Sequence, residues 1–156
     1  MDFHQCQQVH FGWLRMSINI LPKNSFEDYL GIPYKEHGRT KEEGFDCWGL
    51  MLELVKKIYG VVLPDPNYKI TTFQDPNDII MTYDISQWVI PIPITQISYG
   101  DLIALRIFTV SKIPCHIGMC IGNREIIHTM NHGVVIHKLN ILKKYTVGIY
   151  RFNIHD

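Results

Sequence analysis

Apolar and polar positions follow two different periods along this chain, and the change of period divides it. Leu50, Met51, Leu54 and Ile58 recur at the three-to-four spacing of one helix face, with Lys56 and Lys57 near the end and Gly60 beyond. That spacing predicts a helix roughly from Cys47 to Tyr59, with Asp46 as its N-cap. Later in the chain, short apolar runs read as strands: Leu102–Ile107, His116–Ile121, Ile126–Met130, Val134–Leu139 and Val147–Phe152. "NSFEDYLGIPY" (24–34) reads as a short helix capped by Asn24 or Ser25 and broken by Gly31 and Pro33. "KEHGRTKEEG" (35–44) is polar throughout and reads as a loop. Residues 61–97 hold five of the eight prolines and predict an irregular excursion, with a short helix over 76–85. A helical part followed by a run of short antiparallel strands predicts an α+β fold.

The length of 156 residues suits one domain. The pattern begins at 24, so residues 1–23 read as an arm or leader and 24–156 as the folded domain. A hydrophobic content of 46% with 19% charge excludes a disordered chain. Fifteen basic and fifteen acidic residues cancel, so no global field draws the protein to nucleic acid or to an anionic membrane. No apolar run is long enough for a transmembrane helix. The start, "MDFHQCQQVHFGWLR", lacks the basic and then apolar layout of a signal peptide. The expectation is a protein that does not use the general secretory route; Met16 is a second possible start.

Candidate chemistry centres on "GFDCWGL" (44–50). If Cys47 is the first residue of the helix, unbonded backbone N–H groups and the positive dipole end favour its thiolate. The same N–H groups can hold an oxyanion after the sulfur attacks a carbonyl. Gly49 leaves room for a substrate backbone, and Trp48 reads as core, cleft wall or substrate-stacking ring. Asp46 reads as a cap rather than an acid.

A base and an orienter come from "CHIGMCIGNREIIHTMNHG". If "GNR" (122–124) is a three-residue hairpin loop, Gly118 faces His128, and His116 shares a face with His128 as its diagonal neighbour. A two-residue loop would put the two histidines on opposite faces. His116 would then take the Cys47 proton, and His128 would fix the His116 tautomer. Cys115 and Cys120 read as small buried hydrophobes on opposite strand faces, not as a disulfide. Asp101 reads as a strand start with a turn hydrogen bond. His132 and His137 read as loop and strand-surface residues. A zinc site from Cys115, His116, Cys120, His128 and His132 is disfavoured, because strand geometry spreads these ligands over two faces.

These motifs resemble the NlpC/P60 cysteine peptidases over roughly residues 28–152. "GFDCWGL" is similar to the family's Asp-Cys-Ser-Gly-Leu motif, "YGDLIAL" (99–105) to its Pro-Gly-Asp-Leu strand, and "HIGMCIGNREIIH" (116–128) to its hairpin. The resemblance implies a papain-like core with the nucleophile at a helix N-terminus packed on an antiparallel sheet. It implies Cys47 as nucleophile, His116 as base and His128 as orienter, with Tyr34, Trp48 and Gly49 contacting substrate and neither metal nor organic cofactor. The implied reaction is hydrolysis of a peptidoglycan stem peptide, after D-glutamate and toward the diamino acid. Trp48 replaces the usual serine. "Cys-Trp-Gly-Leu" with "LGIPY" and "GR" upstream is similar to the branch found in phage tail-tip and prophage proteins. That branch implies other tail-tip proteins as partners, neither nucleic acid nor membrane, and a place in the virion tail, or in the bacterial cytoplasm before assembly. The alternative is a structural tail-tip protein that keeps the fold without activity.

Overall fold

The computed structural model describes residues 17–65, 88–107 and 116–153. The helix expected over 76–85, together with Cys6 and Cys115, lies outside the described residues. The first helix among the described residues, α1, spans Asn24–Glu27. Its cap is Lys23, already helical and without a side-chain cap bond, rather than Asn24 or Ser25. The Pro22 carbonyl accepts the Ser25 N–H, so the turn starts one step earlier than the polar residues suggest. Burial of Phe26 and Tyr29 holds this single turn down.

Strands β1 (Arg39–Thr40) and β2 (Gly44–Phe45) form a two-residue ladder inside the stretch expected to be loop. They are too short to show a period. Helix α2 then spans Cys47–Tyr59, with the bounds expected. Asp46 is extended and its side chain accepts the Gly49 N–H; Gly60 closes the helix in the left-handed region at φ 68°. Leu50, Met51, Leu54, Val55 and Ile58 are fully enclosed. Truncating one such leucine to alanine typically costs about 2–5 kcal/mol.

The remaining strands are β3 (Val89–Ile92), β4 (Leu102–Leu105), β5 (His116–Cys120), β6 (Glu125–Met130), β7 (Gly133–Lys138) and β8 (Thr146–Phe152). A helical turn α3, Leu139–Leu142, lies between β7 and β8. The strands form one sheet in the order β3-β8-β4-β5-β6-β7, and every pair is antiparallel. Five strands fall where the pattern placed them. The sixth, β3, was hidden by Pro91 and Pro93. Among the described residues it is an edge strand, paired with β8 alone, which is where a sheet tolerates proline.

Alternation sorts the sheet into two faces. Leu102, Ile117, Met119, Ile127 and Val134 pack with α2. Ile103, Leu105, Cys120, Ile126 and Ile149 pack on the other side with Leu139 and Leu142. Helix α2 runs alongside β5 in the same direction. At its end the Tyr59 hydroxyl donates to the Gly100 carbonyl (2.8 Å), and the Gly100 N–H donates to the Cys120 carbonyl at the end of β5 (2.8 Å). At its start, a strap through residues 31–34 ties helix to sheet. Gly31 N–H donates to the Val134 carbonyl, Val134 N–H donates to the Ile32 carbonyl, and Tyr34 bridges Phe45. The first residues of α2 and β5 are therefore at one end of the molecule. The last part of the expected arm also rests on the domain: Asn19 N–H donates to the Ile58 carbonyl, and Tyr99 Oη donates to the Asn19 carbonyl. Among the described residues, no helix is long and apolar enough to cross a membrane.

Candidate active site

Cys47 is the first residue of α2, directly after the capping aspartate. It is a reduced thiol and is mostly enclosed. A carboxylate so close would oppose a thiolate, but Asp46 is heavily compensated. Its Oδ1 accepts from Gly49 N–H (2.7 Å) and from the Arg39 guanidinium (2.8 Å), and its Oδ2 accepts from His37 N–H (3.0 Å). Arg39 also binds Asp65 through Nε (2.6 Å). Burial works against the Arg39 charge, but Asp65 and Asp46 outweigh it and raise its pKa, so the guanidinium stays charged. The cap thus positions the helix start without leaving a bare negative charge beside the sulfur.

Gly49 has a role other than the one expected. A Cβ there would run into the Gly38 carbonyl oxygen. The space that looked available to a substrate is filled by the Gly38 carbonyl and by the Arg39 and Asp46 side chains. Trp48 is wholly buried, as the core reading of its position expected, and its ring packs in the core rather than on an open cleft. Its bulk follows from being the second residue of a helix whose inward stripe continues through Leu50 and Met51. Tyr34 is 46% exposed, and its hydroxyl feels the charges of Cys47 and Asp46. Burial first, then Cys47, Asp46 and Glu36, push its pKa up to about 12, so the phenol remains a proton donor.

The hairpin loop between β5 and β6 is odd, as the parity argument required. Cys120 pairs with Ile126 and Met119 with Ile127, and the Ile121 N–H donates to the Glu125 carbonyl. His116 and His128 therefore share a face, and His116 Nε2 lies 2.8 Å from His128 Nδ1. A side chain at Gly118 would press on the His128 Cβ and the Ile126 side chain, so glycine opens the gap between the two imidazoles. His128 is fully buried, whereas His116, first in its strand, is partly open. Burial lowers the His116 pKa to about 4. Burial lowers His128 further, aided by the nearby His116, His137 and His132. Both rings are neutral near pH 7. With Nε2 of His116 turned to His128, Nδ1 is the nitrogen left to accept a proton.

Sequence reasoning missed a third imidazole. His137 was expected on the strand surface, yet its Nδ1 lies 2.8 Å from His128 Nε2. The signal was present: His137 pairs with Ile126, two residues along β6 from His128 and on the same face. His132 is exposed and bonded to Asn131, as a loop residue. Asp101 closes the turn before β4 by accepting the Ser98 N–H (2.8 Å). Among the described residues, no set of three His, Cys, Asp or Glu side chains is arranged to hold a metal ion.

Residues 31–151 match the NlpC/P60 family. The chain is 24% identical over 139 residues to the murein DD-endopeptidase MepS/murein LD-carboxypeptidase of Escherichia coli K12, covering 87% of this chain and 64% of that protein. It is 45% identical over 38 residues to the gamma-DL-glutamyl hydrolase of Bacillus subtilis 168, covering 24% of this chain and 9% of that one. Among solved structures, a lipoprotein-like NLP/P60 protein of Staphylococcus aureus Mu50 superposes with a TM-score of 0.57 at 20% identity, over 96% of this chain and 48% of that one. The NlpC/p60 domain of the peptidoglycan hydrolase SagA gives 0.56 at 17% identity, over 81% of this chain and 92% of that one. These structural likenesses establish the fold.

Proposed function

The chain belongs to the NlpC/P60 family, and from that membership we propose that it is a cysteine peptidase that hydrolyses peptidoglycan stem peptides. The observation that carries the reading is the bonded histidine row starting at His116, at the end of the sheet where the Cys47-bearing helix begins. Cys47 is the nucleophile. His116 Nδ1 takes the thiol proton, and the sulfur attacks the amide carbon. The first-turn amides of α2 and the helix dipole stabilise the oxyanion. The leaving amine takes the proton from His116, which leaves an acyl-enzyme. Water, deprotonated by His116, then releases the acid and restores the thiol. His128 holds the His116 ring, and Tyr34 offers a hydroxyl beside the sulfur.

The bond assigned is the one after D-glutamate, toward the diamino acid. The murein-directed names of the E. coli relative and the glutamyl-directed name of the B. subtilis relative both support a peptide with D-centres. The setting assigned is a phage or prophage tail tip, with peptidoglycan peptide and other tail-tip proteins as partners. The support is the "Cys-Trp-Gly-Leu" motif with "LGIPY" and "GR", which resembles that branch. Incubation with a synthetic stem peptide tests the chemistry: a new amine on the diamino acid is expected, and an intact peptide would refute it. Antibody labelling of virions tests the setting: signal confined to the tail tip is expected, and virions without signal would remove it.

A further inference from the structure

We infer that His137 is a positioning residue for His116, acting through His128: its Nδ1 accepts the His128 proton and so selects the His116 tautomer that can serve as a base. The inference rests on the reading of His116 as base. It follows from counting hydrogens along the row.

A neutral imidazole has one N–H and one lone pair. The two contacts, His116 Nε2 to His128 Nδ1 and His128 Nε2 to His137 Nδ1, each need one donor and one acceptor. A neutral His128 has a single proton for its two contacts, so the row allows only two arrangements. In one, His128 is protonated on Nδ1 and donates to His116 Nε2. His116 then carries its own proton on Nδ1 and cannot accept another there. In the other, His128 is protonated on Nε2 and donates to His137 Nδ1. Its Nδ1 then accepts from His116 Nε2–H, and His116 Nδ1 has a lone pair for the thiol proton. The second arrangement exists only while position 137 accepts a hydrogen bond at the place of Nδ1. His137 stands on β7, the last strand of the sheet among the described residues, at the end of the row opposite His116, and sets this direction without itself taking the thiol proton.

Substitution by shape separates this role from packing. In His137→Asn the side-chain oxygen occupies the place of Nδ1 and accepts. In His137→Gln the oxygen lies further out, at the place of Nε2, and in His137→Phe there is no acceptor. The tautomer of His116 is read at pH 7 from its imidazole nitrogen resonances by NMR, and kcat and KM are read on the stem peptide. Wild type and His137→Asn should carry the His116 proton on Nε2. His137→Gln and His137→Phe should shift it toward Nδ1 and lower kcat about 10-fold with KM retained, the scale of lost outer-shell support. Asparagine should recover most of that loss. A His116 protonated on Nδ1 in the wild type, or one tautomer and one kcat across all four proteins, would overturn the inference. The spectrum reports on the row whether or not turnover occurs. Absence of turnover with the expected tautomers therefore counts against the peptidase reading alone.

Discussion

Where α2 and β5 begin, a buried aspartate, Asp46, pairs with Arg39 beside Cys47. Where they end, a second buried aspartate, Asp101, pairs with Arg151 beside Cys120. The parts are nearly the same. Each aspartate is 1% exposed, each accepts a backbone N–H three residues away, and each is tied to an arginine. The consequences differ because of what each aspartate terminates. Asp46 caps a 13-residue helix, so the next residue is a cysteine at the positive end of a dipole. Asp101 closes a turn before a strand, and Cys120, the last residue of β5, is buried with Ile103, Leu105 and Ile126. Burial pushes the Cys120 thiol pKa up. A buried cysteine near a paired aspartate is therefore no nucleophile by itself; in the proposed reading the helix start and the histidine row make the difference.

The largest contrast between the two ends is in the thiols. Cys47→Ser should lower stem-peptide turnover by about 10⁴-fold or more, the scale of losing a nucleophile. Cys120→Ser should keep activity within about threefold, since Cys120 contributes packing rather than chemistry. Equal losses in both would erase the comparison. Next in size are the histidines. His116→Ala should cost about 10³-fold in kcat, the range of general-base loss, while His128→Ala should cost about 10–100-fold as a supporting group. The reverse order, measured on the same peptide, would exchange their roles.

The aspartates sharpen the comparison further. Asp101→Asn weakens a charged pair and should lower stability by about 1–3 kcal/mol while kcat of the folded fraction stays unchanged. Asp46→Asn should lower both, because the cap also sets the Cys47 helix start. Urea unfolding alongside kinetics distinguishes them, and a normal kcat in Asp46→Asn would detach the cap from the chemistry. The smallest effect is that of pH. His116 and His128 are kept neutral by burial, so their folded pKa values lie below the unfolded value of about 6.5. Below that value the unfolded chain binds more protons, so stability is lost as pH falls from about 6.5 toward about 4. Tm should drop over this window, less so in His128→Asn; identical slopes would remove the histidines as the cause.

Much of this was legible in the sequence where local rules decide the outcome. The α2 bounds followed from a cap, a 3.6-residue stripe and a terminal glycine. The His116–His128 pairing was legible as a condition, an odd loop after β5, and the Cys120–Ile126 register meets it. What was hidden depended on neighbours distant in sequence. Gly49 suggested substrate space, but the Gly38 carbonyl fills it. Trp48 allowed core, cleft wall or stacking ring, and only the packing of the helix onto the sheet selects the core. His137 looked like a surface residue because its partner is reached through the β6–β7 register. Strand β3 was hidden by prolines that only an edge position permits.

The central claim is that the α2–β5 start is a hydrolytic site worked by Cys47. Its most direct test is digestion of purified peptidoglycan by the wild type and by Cys47→Ala in parallel, with released fragments identified by mass. The account predicts stem-peptide fragments, cut between D-glutamate and the diamino acid, from the wild type alone. Fragments of equal yield from Cys47→Ala, or none from the wild type across walls of different stem composition, would contradict it.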